Sequence, residues 1–177
     1  MKLRQLLYAA LLGAMLCLLC PISIPIGMIP ISLSTFGVAL VASLTDKRTA
    51  TACILIYLGL GALGLPVFAG FVGGATILGG PTGGFLIGYL PIALLGAGGK
   101  RSTALVRIIL GTLICYAIGL AWFMWVTNTP LWSGFGLCVL PFLLPDAIKL
   151  AGAHALGAML RPRLDAIGVI LTKESTK

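Results

Sequence analysis

Charge is the scarcest property of this sequence. Of 177 residues only 9% are charged and just four are acidic, where an ordinary soluble domain carries about 25% charged residues. A surface that poor in charge aggregates in water, so the solvent for most of the chain is lipid. Histidine occurs once, at His154. No second carboxylate accompanies Asp146, and there is no nucleophile–base pair or metal-ligand cluster, which argues against an enzyme and leaves no cofactor to be expected. No nucleotide-binding motif and no solenoid-type repeat is present. The net charge of +8 does not point to nucleic acid, because the basic residues come in small groups between apolar runs rather than on one wet face. The five cysteines all lie in apolar stretches. Cys17 and Cys20 form a CxxC spacing, but with no second pair or nearby histidine they read as small packing residues.

What the sequence does have is apolar length. Hydrophobic residues make up 59% and the mean hydropathy is +1.13. Proline, glycine and charge divide the chain into six candidate spans, at about 5–20, 31–45, 51–66, 83–98, 104–126 and 136–160. Spans of about 20 residues with short loops use up the whole of 1–177, so one transmembrane domain is expected: an all-α integral membrane bundle of six helices. Several spans fall short of 20 residues, from misplaced boundaries or a locally thinned bilayer. Lys2 and Arg4 before the run from Leu6 to Leu19 imitate a signal peptide, and LCLLC ending at Cys20 imitates a lipoprotein box. Leu19 is too bulky for such a box and the chain stays apolar beyond it, so a retained first helix is expected.

Basic residues set the orientation. Lys2, Arg4, Lys47, Arg48, Lys100, Arg101, Arg107, Arg161, Arg163, Lys173 and Lys177 all fall on one side of the six spans, and the three opposite loops carry no charge. Both termini are therefore expected in the cytoplasm of a multi-pass cell-membrane protein. Trp122, Trp125 and Trp132 then lie near the outer interface. The short tail after Asp165 ends in the polar stretch Thr172 to Lys177 and is expected to fray.

Three features carry possible chemistry. Lys149 is the one basic residue away from the charged connections, within the sixth span and three residues after Asp146, and i and i+3 share a helix face. A charge at mid-span costs about 2.5–3.5 kcal/mol. The pair is either a mutually neutralising structural bridge or a binding site facing the bundle interior. The second reading is favoured because Asp146 lies about ten residues from the outer end of its span. His154 is not on their face. Next, Gly73 to Gly84 holds glycine at half of its twelve positions. Either it lines a cavity with exposed backbone, or it packs helices through Gly80xxxGly84 and Gly84xxxGly88. Phe68, Phe71, Phe85 and Tyr89 flank it as cavity walls or as ordinary membrane core. Finally, Ala10 and Ala14, with Ala9 and Gly13 beside them, form a small-residue face for packing within the bundle or for docking a partner subunit.

The stretches FAGFVGGATILGGPTGGFLIGY (Phe68 to Tyr89) and PFLLPDAIKLAGAHALG (Pro141 to Gly157), with the opening PISIPIGMIPISLSTFGVAL, resemble the BioY family of biotin transporters across nearly the whole chain. These are substrate-binding S components of energy-coupling factor (ECF) transporters, some of which work alone. The resemblance implies an S-component fold with an outward-facing pocket capped by loops. It implies that Asp146 and Lys149 contact biotin, that the Gly70–Thr82 segment (Gly70, Phe71, Gly74 and Thr82) adds contacts with Tyr89 nearby, and that Ala10 and Ala14 dock the coupling subunit. The implied partners are biotin, the lipid bilayer and, where a coupling module is used, its membrane and ATPase subunits, with no nucleic acid. An S component for another vitamin and an intramembrane enzyme using Asp146 with His154 are the alternatives.

Overall fold

A computed structural model describes residues 3–25, 29–99 and 101–166. Six longer helices form the bundle: α1 (Leu3–Leu19), α2 (Ser34–Leu44), α3 (Lys47–Ala62), α5 (Gly83–Gly96), α6 (Ala104–Thr127) and α8 (Leu140–Ala166). Two short helices, α4 (Ala75–Gly79) and α7 (Leu131–Cys138), lie in the connections at one end. The expected frayed tail beyond Ala166, and Lys2, Lys100, Lys173 and Lys177 of the charge count, lie outside the described residues.

Helix α2 is the hub. It packs on α8, α5, α1, α3 and α6, and nine of its 11 residues are buried, from Ser34 and Gly37 through Leu44. At 1.5 Å per residue such a helix is only about 16 Å long, far short of a bilayer core. Because protein surrounds it, its ends meet neighbouring chain rather than lipid. Its short length therefore needs no thinned membrane. It also begins at Ser34 rather than at 31, because Ile31–Ser32 forms β2, paired antiparallel with β1 (Ser23–Ile24). This small hairpin is the one paired set of strands among the described residues, and its proline-flanked two-residue strands leave no periodicity to read.

Other boundaries shift for equally local reasons. Asp46 caps α3, its Oδ2 accepting from the backbone N–H groups of Arg48 at 3.0 Å and Thr49 at 3.4 Å. The helix accordingly starts at Lys47 instead of 51, as carboxylate caps satisfy the orphan donors of a first turn. It ends at Ala62, ahead of Gly64 with φ +100°. The sixth span is divided at Val139 into α7 and α8.

The tightest seam joins α5 and α6. A Cβ added to Gly84 would stand 2.3 Å from Trp122 Cβ, one at Gly88 would stand 2.6 Å from Cys115 Sγ, and one at Gly111 would stand 2.7 Å from Ile92 Cα. Small residues at such positions let helix backbones approach where lipid offers no hydrophobic driving force. Packing is thus the role of Gly84 and Gly88. On α1, Ala9 and Leu16 are fully buried and a Cβ at Gly13 would touch Ile56, whereas Ala10 and Ala14 face outward.

This seam generates a stability prediction. Gly111→Val forces a side chain onto the backbone of α5 and is expected to cost about 2–3 kcal/mol. Gly59→Ala, inside α3 with nothing within 4 Å, is expected to cost nothing and to stabilise by up to about 1 kcal/mol. Thermal unfolding of the two variants in detergent distinguishes them.

Candidate functional site

Asp146 is 3% exposed and lies in α8, directly after Pro145, which has no N–H to give to the carbonyl one turn earlier. Three side chains from three helices converge on its carboxylate. Thr35, in the first turn of α2, donates its hydroxyl to Oδ1 at 2.8 Å. Tyr116, in mid-α6, donates to Oδ2 at 2.6 Å. Lys149 Nζ donates to Oδ1 at 2.9 Å. Burying a carboxylate carries a penalty of several kcal/mol. Hydrogen bonds to a charged group return about 1.5–3 kcal/mol each, so three together can hold the charge in place.

Two cavities open from this cluster. The smaller, about 50 Å³, is lined by Thr35, Tyr116, Asp146 and Lys149 with Phe142 and Cys115. The larger, about 210 Å³, is lined by Phe68, Ala69, Val72, Ile77, Thr82 and Leu86 among others. Ile29, Pro30, Ser32, Phe85 and Tyr89 line both. The two adjoin through this shared wall as one chamber: the charged pair lines only the smaller part, and the larger part is mostly apolar, with Ser34 and Thr82 also on its wall. Beside it, between α6 and α8, an apolar groove of about 240 Å³ reaches the outer sides of Tyr116 and Asp146.

The cap of the chamber has two parts that support one another. Residues 29–32, including strand β2, lie along it, and Leu33 N–H donates to the carbonyl of Ile22 at 3.0 Å. The second part is the loop from Val67 to Thr82, pinned by a bridge between Phe68 and Val72 and by Gly70 N–H on the carbonyl of Pro21 at 3.0 Å. Gly74 takes φ +113° as it turns into α4, with its N–H on Gly61 O at 2.7 Å. Glycine adopts such a φ without steric cost. The segment is therefore a folded loop containing a helical turn, rather than open backbone throughout. Trp122 completes the cap by donating its indole N–H to the carbonyl of Gly80 at 3.0 Å.

The structure sorts the sequence candidates. Asp146, Lys149, Tyr89 and Thr82 line the chamber, as do Phe68 and Phe85. Gly70, Phe71 and Gly74 are not among the residues lining it. Phe71 sits at the loop tip with φ +59° and is 67% exposed, and Ala69 and Val72 line the wall in its place. His154 lines none of these cavities. Trp125 and Trp132 are exposed, but Trp122 is partly buried and serves the loop. Sequence reasoning missed Thr35, Tyr116 and Ser32. A hydroxyl in an apolar helix is ordinary, and only tertiary packing reveals its partner 111 or 30 residues away.

A model of the BioY family matches residues 1–166. The probable biotin transporter BioY of Pyrococcus horikoshii is 38% identical over 163 residues, covering 91% of this chain and 98% of that protein. The biotin transporter BioY of Thermotoga maritima is 38% identical over 167 residues, covering 89% and 96%. Among solved structures, the S-component for biotin from an ECF-type ABC transporter superposes with a TM-score of 0.83 at 27% identity, covering 91% of this chain and 92% of that one.

The indole bond to Gly80 yields a test of the cap. Trp122→Phe keeps an aromatic ring but removes the donor, a loss of about 1 kcal/mol. Hydrogen exchange of the amides in 68–82 is expected to quicken several-fold, while that of α2 stays unchanged.

Proposed function

The chain belongs to the BioY family, and on that premise we propose that it takes up biotin, holding it in the chamber between the hairpin and α8. It acts as the substrate-specific subunit of an ECF-type transporter or as a solitary biotin transporter, and it is not an enzyme. The observation that carries the reading to residues is the buried Asp146–Lys149 pair, which lines the smaller part of a chamber whose larger part is mostly apolar.

The chemistry of the ligand suits that asymmetry. Biotin has a ureido ring with two N–H donors and one carbonyl acceptor, fused to an apolar ring bearing an aliphatic carboxylate tail. Asp146 accepts an N–H, and the Lys149 ammonium donates to the carbonyl. Phe68, Phe85, Leu86 and Tyr89 cover the apolar ring and chain, with Thr82 near the mouth. Gly70, Phe71 and Gly74 then act by shaping the cap rather than by touching the ligand.

The wider assembly follows the same reading. Six bundle helices cross the membrane, with both termini in the cytoplasm and the hairpin, α4 and α7 outside. The whole chain 1–177 is one substrate-binding domain. Lipid covers the exposed apolar side chains of α6 and α8, among them Leu113, Ile114, Leu144 and Ile148. Ala10 and Ala14 face away from the bundle, presenting a small-residue surface on which the helix of a coupling subunit can lie, with ATPase subunits behind it. ATP is used by those subunits, not by this chain.

Equilibrium binding of labelled biotin to the purified protein tests the function. Saturable binding in the nanomolar to low micromolar range is expected, competed by biotin and not by thiamine or riboflavin. Asp146→Asn and Lys149→Gln are each expected to weaken it by about tenfold or more, since a charge-assisted bond is lost. Unchanged affinity in both folded variants would remove the pair from the site. Ala10→Trp is expected to leave binding intact while reducing co-purification with a coupling subunit.

A further inference from the structure

A carboxylate offers about four acceptor positions, two on each oxygen. At Asp146 three are taken. Oδ1 accepts from Thr35 at 2.8 Å and from Lys149 at 2.9 Å, and Oδ2 accepts from Tyr116 at 2.6 Å. Among the described residues one position is left, on Oδ2, and all four side chains line the smaller cavity. Lys149 carries three donors, of which one goes to Asp146, so two remain for a ligand. The polar end of the chamber therefore offers one acceptor beside two donors.

We propose that Thr35 and Tyr116 determine head-group specificity by occupying acceptor positions on Asp146, so that the site takes an N–H and a C=O side by side and rejects a head group offering donors alone. The proposal rests on the biotin reading and deepens it. A ureido edge supplies one N–H for Oδ2 and one carbonyl for the Lys149 ammonium. Its second N–H falls to Ser32, which lines both cavities; its hydroxyl proton is committed to Ser34 Oγ at 2.8 Å, leaving an oxygen lone pair for the ligand. A cyclic guanidine of the same shape, with an imine in place of the carbonyl, is a cation at neutral pH. It brings a further N–H to a carboxylate with no room for it, and sets its positive charge against Lys149. A site built to pair one hydrogen-bonding pattern discriminates strongly against an analogue that leaves groups unpaired.

The hydroxyls are positioning residues in this account, and removing either one frees an acceptor position. The test measures the dissociation constants of biotin and of its cyclic guanidine analogue on the purified full-length chain, by competition against labelled biotin. In the unaltered protein the analogue is expected to bind at least about a hundredfold more weakly than biotin. Tyr116→Phe keeps the ring and frees Oδ2; Thr35→Val keeps the shape and frees Oδ1. Each is expected to weaken biotin and to narrow the gap between the two compounds about fivefold or more, with Thr35→Ser restoring the original ratio. If both compounds weaken in parallel and the ratio stays fixed, the hydroxyls serve only structure and the proposal is overturned. Should Tyr116→Phe fail to fold, Thr35→Val with its serine rescue carries the same comparison. An unaltered protein that binds neither compound would instead overturn the biotin reading itself.

Discussion

An ionised carboxylate buried inside a membrane protein must be surrounded by donors, and Asp146 meets that demand by drawing on three helices at once. Thr35 comes from α2, Tyr116 from α6 and Lys149 from α8 itself. Losing one partner would leave a buried charge underpaired, which costs far more than the pair contributes net. The cluster therefore fixes how the three helices stand at that depth, and the chamber takes its shape from them.

The rest of the bundle serves that arrangement. Helix α2 can be short because protein covers it on nearly all sides, which frees its N-terminal end to carry Thr35 and the adjoining serines to the chamber. The glycine seam of α5 against α6 brings Tyr89 and Tyr116 to the lining of the same cavity. Residues 29–32 and the loop pinned by Trp122 line it from the side of the connections, where the apolar part of a ligand would lie. In the proposed reading, polar recognition thus sits on helices, and the loops line the rest of the chamber.

Much of this was legible from residue type alone. Asp146 and Lys149 stand out because charge is costly in an apolar run and their spacing shares a face. The glycine spacing at 84 and 88 announces close approach, whereas Gly80 ends α4 ahead of α5 and takes no part in that seam; the bundle's helices follow from apolar length and its breaks. What escaped the sequence depends on tertiary contact. Thr35, Tyr116 and Ser32 carry no signal of their own: a threonine in a helix commonly bonds its own backbone, as Thr112 and Thr127 do, a tyrosine is ordinary membrane core, and Ser32 sits in a two-residue strand. The hairpin escaped because two-residue strands have no period. Gly70, Phe71 and Gly74 belong to the loop that lines the chamber through its neighbours but are not themselves among the lining residues, with Phe71 exposed at the tip. The split of the small-residue face of α1 into an inward pair, Ala9 and Gly13, and an outward pair, Ala10 and Ala14, follows from the 100° step between helical neighbours.

The measurement that bears most directly on the central claim is the structure of this chain with biotin bound. The account requires the ureido ring at the α8 end of the chamber, with one N–H on Asp146 Oδ2, the carbonyl on the Lys149 ammonium, and the Thr35 and Tyr116 hydroxyls still on the carboxylate. A ligand seated with its ureido ring away from Asp146, or Asp146 stripped of both hydroxyl partners, would contradict it.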